Sequence, residues 1–451
     1  MGECHIMRVN VSEERTRNYL HQIKGAVVYK AIAMLASFLA IPLMIRYLGQ
    51  EQYGIWSTLL TVMSWIVFFD LGVGNGLRNK VAEALAKNNR KEAAEYIASG
   101  YILIGLIAVA LWVLVTGASF FVTWQTVFNT MTISEATLRL TVQVAVFFIV
   151  LNFWIGLISA LFGAVQKTSM TALGQLISNV LALLFVFFLI KTTDATISYL
   201  ALAYGISMVT GNIILSLRFY QQHSELRPTS SLDKKHITPL LSIGLKFFTI
   251  QIAVLVIFTT DKMLITQLFG PEYVTQYDVI FKLFSVITLA HTLVSAPLWS
   301  AYTDAYHRGD VVWIKRMLHK QHIIYIGVVL SVLIMGLLAK PVISIWIGRD
   351  IDVSCPLIVT IGIFVLVATW NNIYAMLVNG IGEIKIQLYM AVVGMFVNIP
   401  LSLIFVKYLG LGLSGIVMAT IVSLLLSSIS LPIQVYRIMR LGMRIVPASI
   451  K

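Results

Sequence analysis

The stretch FFDLGVGNGLRNK, Phe68 to Lys80, closes an apolar run with a carboxylate, three alternating glycines and an arginine. An aspartate in hydrocarbon costs roughly 2.5–3.5 kcal/mol on insertion scales, so Asp70 is expected to face protein or water rather than lipid. Gly72, Gly74 and Gly76, with Asn75 between them, let the backbone loosen or let another helix approach closely. The same residues also fit a tightly packed helix end with a C-terminal glycine stop. On either reading the run before them is long and apolar enough to cross a bilayer.

The rest of the chain has the same character. Hydrophobic residues make up 58% of the 451 and charged ones only 12%, about half the usual share, which is the composition of a polytopic membrane protein. The net charge of +13 does not point to nucleic acid, because the basic residues sit in short loops between apolar runs and not on one soluble face. Cys4 and Cys355 are far apart and imply neither a disulfide framework nor a metal cluster. There is no Walker A pattern, so no ATP hydrolysis is expected of the chain, and no cofactor. Asp350 and Asp352 resemble the acidic pair of metal-dependent glycosyltransferases, but they stand in a loop of a few residues, so the chain is not expected to be an enzyme. His319 and His322 lack a third metal ligand.

Twelve apolar stretches of roughly 20 residues are centred near Leu35, Ser64, Ala108, Val150, Leu181, Tyr204, Val254, Thr288, Leu330, Val367, Phe396 and Val422. The N-terminal segment, the even-to-odd connections and the tail hold most of the lysines and arginines. The opposite loops hold Arg46, Lys191, Lys340, Arg349 and Lys407, which predicts both termini in the cytoplasm. The expected architecture is all-α, with about twelve transmembrane helices in two pseudo-symmetric six-helix lobes. Its parts are a cytoplasmic segment 1–23, an N-lobe 24–220, an inter-lobe loop 221–239, a C-lobe 240–436 and a tail 437–451. A helix is expected across ALAKNNRKEAAEYI, and Trp56, Trp124, Trp346, Tyr47 and Tyr53 are expected in the outer interfacial belt.

The two-lobe reading rests on internal echoes. LGQEQYG (Leu48–Gly54) returns as FGPEYVTQY (Phe269–Tyr277), and ALAKNNRKEAA (Ala84–Ala94) as AYHRGDVVWI (Ala305–Ile314). Gly163, Lys167 and Asn179 return as Gly380, Lys385 and Asn398. All three recur at one approximate offset, as a duplicated unit requires. Duplicated bundles hold substrate between their halves near mid-membrane.

Candidate site residues follow from depth. At about 1.5 Å per residue, Asp261, Lys262 and Lys282 lie roughly 15 Å below the outer surface, and Asp278 shares a helix face with Lys282 at i, i+4 spacing. This is a mixed-sign cluster inside the membrane, either substrate-facing or a set of ion pairs pinning helices seven and eight together. Lys30 and Asp70 fall level with each other at the cytoplasmic mouth, with Asn75, Arg78 and Lys246 deeper towards the cytoplasm. Those cations would attract an anionic headgroup, or serve as ordinary positive-inside anchors. Pro42 and Pro297, like Pro400 and Pro432, are hinges or static kinks.

LGQEQYGIW (Leu48–Trp56) followed by FFDLGVGNGLRNKVAEALAKNN (Phe68–Asn89) resembles the first hairpin and following loop of the bacterial O-antigen flippases. These are the Wzx-type polysaccharide transporters of the multidrug/oligosaccharidyl-lipid/polysaccharide exporter superfamily. The resemblance implies two six-helix lobes around a cationic cavity in the bacterial inner membrane. It further implies flipping of undecaprenyl-pyrophosphate-linked repeat units to the periplasmic leaflet by a monomer among membrane lipids, beside polymerase and chain-length machinery. Lys30, Arg78, Lys246, Lys262 and Lys282 would then meet pyrophosphate or sugar, and Asp70, Asp261 and Asp278 would balance charge or couple an ion. Gly72, Gly74, Gly76, Asn75, Pro42 and Pro297 would form gates or hinges. A drug/cation antiporter of the same superfamily would want an acidic cavity instead, and a membrane glycosyltransferase or polymerase would need a larger loop domain.

Overall fold

The computed structural model describes residues 2–67, 73–167, 169–228, 259–295, 298–307, 309–348, 351 and 353–441. Asp70, Gly72, Lys246 and Pro297 lie outside them. The chain forms two compact units, Met1–Thr249 and Ile250–Lys451. The first holds α1 (Gly2–Leu48), α2 (Gln50–Val67), α3 (Val73–Ala86), α4 (Arg90–Ala118), α5 (Trp124–Phe128), α6 (Glu135–Ile155), α7 (Ile158–Ala164), α8 (Ser169–Thr192) and α9 (Ile197–Gln222). The second holds α10 (259–268), α11 (Pro271–Ser295), α12 (Leu298–His307), α13 (Val311–Ile347), α14 (Cys355–Ile381), α15 (Lys385–Lys407) and α16 (Gly412–Leu441).

Among the described residues ten helices are long and apolar enough to cross a membrane, and each contains one of the predicted span centres. The stretch around Ser64 is α2, and that around Val254 lies outside the described residues. The protein is a multi-pass membrane protein. Gly74 and Gly76 lie inside α3, so they do not act as a helix stop.

Packing repeats from one unit to the other. In the first, α6 packs on α4 and α9, and α8 on α1 and α9. In the second, α14 packs on α13 and α16, and α15 on α16. The short helices α3 and α12 play matching parts, α3 against α7 and α12 against α14.

The three echoes are matching turns. Gly49 (φ 81°) and Gly270 (φ 119°) join the first hairpin of each unit. Asn88 (φ 56°) with the cap Asn89, which accepts from the Glu92 N–H at 3.1 Å, corresponds to Gly309 (φ 71°) with Asp310, which accepts from Trp313 N–H at 2.9 Å. This turn splits ALAKNNRKEAAEYI between α3 and α4, where a single helix was expected. An asparagine in the left-handed region ends the first and its neighbour starts the second.

The third echo ends α7 and α14 alike. Gln166 N donates to Gly163 O and Lys167 N to Phe162 O, and Gly382 N donates to Asn379 O and Glu383 N to Val378 O. These are the paired bonds of a left-handed helix stop.

Pro432 in α16 has no N–H to give the Ser428 carbonyl, and the Trp370 indole of α14 donates to that oxygen instead, at 3.1 Å. Pro42 sits inside α1. The expected aromatic belt is corrected at three positions. Trp56, Tyr47 and Tyr53 are buried: Trp56 meets Tyr204 edge-on at 5.4 Å, and the Tyr47 hydroxyl donates to Asp194 O at 2.7 Å. Distance from the loop was a poor guide because these rings turn inward onto neighbouring helices.

Candidate functional site

The site is built in the second unit, where the Gly270 turn folds α10 back on α11. The antiparallel pairing puts Asp261 and Lys262 opposite Tyr277 and Asp278. Lys262 Nζ lies 2.5 Å from Asp278 Oδ1, with side chains 20% and 16% exposed. Lys282, one turn along α11, is half-buried and lies within the electrostatic reach of both Asp278 and Lys262. The structure therefore brings the expected cluster together, but it joins Asp278 across the hairpin to Lys262, where the sequence pointed to Lys282. Helical i, i+4 spacing permits an ion pair, as Lys87 and Glu83 make at 2.7 Å, but it does not decide between that partner and one across the hairpin.

Asp261 differs from the expected counter-ion. Neighbouring residues on a helix point about 100° apart, so Asp261 faces away from the Lys262 side. It is 5% exposed and its partners are neutral: Thr420 Oγ1 of α16 donates at 3.1 Å and the Tyr277 hydroxyl at 3.3 Å. Thr420 Oγ1 in turn accepts from Asn398 Nδ2 of α15 at 3.0 Å, and Asn398 Oδ1 accepts from Thr260 at 3.4 Å. Four helices meet in this network. Tyr277 and Thr420 were not picked out by sequence, since single hydroxyls in apolar helices are common. Asn398 was noted only as an echo of Asn179.

Among the described residues the first unit has no such carboxylate at that place. Asn179 of α8 donates to the Ala33 carbonyl of α1 at 2.9 Å. Of its other candidates, Lys30 lies within α1 and Arg78 within α3. Lys30 and Arg78 are exposed, and the aliphatic part of Arg78 runs so close over Gly163 that a Cβ there would sit 2.9 Å from Arg78 Cδ. Lys167 Nζ donates to Gln222 Oε1 at 3.0 Å. Glu225 lies 3.7 Å from Arg90 and 3.8 Å from His223, and a hydrogen bond from its own backbone N–H, helped by the Arg90 charge, holds its carboxyl below the ordinary range. Between α4 and α6 an apolar groove of about 480 Å³ is lined by Tyr101, Trp112, Phe147 and Trp154, among others. In the second unit His322 stacks on Trp370 and bonds the Tyr374 hydroxyl at 3.0 Å, so it packs as an aromatic and is not posed as a ligand beside His319.

Known proteins share this chain's sequence and fold. A protein of Salmonella typhimurium named as an O-antigen transporter is 24% identical over 86% of this chain and 89% of its own length. One of Yersinia pseudotuberculosis named as an O-antigen export protein is 22% identical over 88% and 91%. Among solved structures, an inward-facing multidrug resistance MATE family transporter of the MOP superfamily aligns with a TM-score of 0.77 at 15% identity. That alignment covers 94% of this chain and all of that one. A MOP superfamily transporter from Pyrococcus furiosus aligns at 0.62 and 16%, over 94% and 96%. At such identities these two show the fold alone. The profile of the polysaccharide biosynthesis protein family matches residues 26–302, and the chain belongs to that family.

Proposed function

We propose that the protein flips lipid-linked oligosaccharide repeat units, carried on a polyprenyl pyrophosphate, from the cytoplasmic to the periplasmic leaflet of a bacterial inner membrane by alternating access. The observation that carries the reading is the cluster of Lys262, Asp278 and Lys282 beside buried Asp261, within a membrane-spanning hairpin of a polysaccharide biosynthesis family member. Charge is expensive at that depth and is kept for a transported or coupled charge.

In this reading Arg78, Lys30 and Lys246 gather the pyrophosphate at the cytoplasmic mouth, and Lys282 meets it at mid-membrane. Lys262, engaged by Asp278, holds the hairpin that presents Lys282. Several weak cationic contacts suit an anion that has to leave again. Asp261, held by two hydroxyls, is the group that exchanges a proton or small cation during the cycle. The relatives' names support the polysaccharide cargo, and the positive-inside count supports cytoplasmic termini.

The test is reconstitution of the chain in liposomes with a fluorescent polyprenyl-pyrophosphoryl sugar, following leaflet transfer with and without a pH gradient. Transfer that is faster with the gradient is expected. No transfer under either condition, from protein that is folded by its melting curve, would sink the proposal. Displacement of the labelled lipid by cationic dyes would favour a drug antiporter.

A further inference from the structure

α16 carries a polar stripe that the transport reading does not use. Thr420, Ser423, Ser427, Ser430 and Gln434 recur at alternating three- and four-residue steps, which keeps them on one face of an otherwise apolar helix. Thr420, Ser423, Ser427 and Gln434 are buried, at 1%, 1%, 6% and 8% exposure. Ile429 and Ile433, on the opposite face, are 60% and 48% exposed. The stripe begins at the hydroxyl that binds Asp261 and ends, about 21 Å along the helix, where Gln434 Nε2 donates to the Glu383 carbonyl at 2.7 Å.

Small hydroxyl residues alone would make a packing seam. A second observation separates this one from a seam. Among the described residues, Gln434 Oε1, Ser428 Oγ and Thr369 Oγ1 are buried without a hydrogen-bond partner, as are Asn371 Oδ1, Asn372 Oδ1 and Gln387 Oε1. The Trp370 to Ser428 bond sets the Thr369–Asn372 turn of α14 level with the middle of the stripe. Buried polar atoms are nearly always paired with protein or with ordered water, and a water needs two to four polar partners. Ser423 donates to Ala419 O at 2.9 Å and Ser430 to Ser427 O at 3.4 Å, which leaves their oxygens able to accept.

The other unit supplies an internal control. When the helix starts Ile197 and Gly412 are set together, the stripe positions fall on Gly205, Met208, Asn212, Leu215 and Phe219 of α9, with no serine or threonine among them. The duplicated helix packs with one amide there, Asn212, which donates to Asn152 Oδ1 at 2.8 Å, so packing does not require the row of hydroxyls.

We infer that the α16 stripe, with the amides of α14, is a hydrated path that carries protons between the Asp261 carboxyl and the cytoplasmic end of the second unit. The direction rests on the orientation adopted above. A proton leaves the Asp261 carboxyl for water and passes along waters held by Ser423, Ser427, Ser430 and Gln434, and the return path is the same. Around Asp261 the ionisable groups on the packed elements are Lys262 on α10 and Glu272, Tyr273, Tyr277, Asp278, Lys282 and His291 on α11. α15 and α16 bring Lys385, Tyr389, Lys407, Tyr436, Arg437 and Arg440.

X-ray radiolytic footprinting of the full chain in lipid nanodiscs tests this, because hydroxyl radicals form wherever water sits and reagent size plays no part. Leu431, fully buried beside the stripe, is expected to be oxidised at least fivefold faster than Leu215, comparably buried on α9 of the other unit. The Ser427→Val/Ser430→Val variant should lose most of that excess while keeping its melting temperature. Should the variant fail to fold, the comparison of Leu431 with Leu215 in the natural chain decides alone. Equal rates at the two leucines would overturn the path. Footprinting does not depend on cargo, so a dry stripe in an active flippase fells this inference only, and a wet stripe in a chain that moves no lipid fells the transport reading only.

Discussion

Both units use the same asparagine for different ends. Asn179 in the first ties α8 to the backbone of α1 and goes no further. Asn398 in the second binds Thr420 and Thr260 and so completes the shell around Asp261. The turns, the helix order and the packing partners recur, so duplication explains the frame, while among the described residues the buried carboxylate with an ion pair beside it occurs in the second copy alone. A scaffold needs the contacts to be equal, whereas coupling needs only one carboxylate placed where its surroundings can change. The difference teaches that symmetry predicts where a helix lies better than what it does.

The largest expected effect breaks this asymmetry at its centre. Asp261→Asn keeps the shape and an acceptor for Thr420 but removes the exchangeable charge, so gradient-driven transfer should fall roughly tenfold or more, the scale of coupling energies between linked sites. The melting temperature should hold or rise. Asn179→Ala should do the reverse, lowering stability by about 1 kcal/mol through one lost bond and leaving the rate per folded molecule unchanged. Equal rate losses in both variants would mean that the units share the coupling role.

Next in size is the hairpin pair. Lys262→Ala takes the bridging cation from the largely buried Asp278 and should destabilise by about 3 kcal/mol, less what Lys282 and water at 16% exposure compensate. Lys262→Ala/Asp278→Ala removes both charges and should recover most of that stability. If transfer returns with stability, the pair pins helices. If it stays low in the stable double variant, Lys262 also meets the cargo. Thermal melting and liposome transfer on the same preparations give both readings.

What the sequence made legible was set by chemistry with few solutions. Membrane span follows from composition, and two echoes were visible because each holds a turn with a left-handed residue, Gly49 and Gly270, Asn88 and Gly309, while the third, read on Gly163, Lys167 and Asn179, flanks the left-handed pair Gln166 and Gly382 that the sequence reading did not single out. The Asp261, Lys262, Asp278 and Lys282 cluster was visible because charge is rare in such helices. Direction was not visible. Counting depth located Asp261 but could not say that it turns from Lys262 towards Thr420, because that depends on how α16 crosses α10. Trp56 failed the same way, since a ring near a helix end turns out to lipid or in to Tyr204 with no change of depth. Asp70, with which the pattern began, lies outside the described residues, and its pairing with Lys30 stays an expectation.

A smaller effect is expected where Arg78 crosses Gly163. Gly163→Ala would put a methyl 2.9 Å from Arg78 Cδ, but that atom belongs to a flexible exposed side chain, so Arg78 moves and the fold stays. If Arg78 touches the pyrophosphate, Gly163→Ala and Arg78→Ala should raise the apparent KM in transfer assays alike, by about threefold, on the scale of a modest exposed electrostatic contact. If Arg78 only anchors topology, neither changes it.

The smallest effect sets the two matched helix stops against each other. Gln166 holds φ at 59° where the second unit has Gly382 at 81°. Left-handed backbone costs a residue with a Cβ roughly 1–2 kcal/mol, while glycine gives back roughly 0.5–1 kcal/mol through the freedom it has when unfolded. Gln166→Gly should therefore stabilise the first unit by about 0.5 kcal/mol, and Gly382→Gln should destabilise the second by a similar amount. Gly382 has nothing within 4 Å of where a Cβ would stand, so no clash confuses the second measurement. Opposite shifts of melting temperature in the two variants would show that the stops are equivalent backbone devices. A Gln166→Gly variant that melts lower would show instead that the Gln166 side chain has taken on a contact its glycine counterpart cannot make, and that the asymmetry between the units extends to their turns.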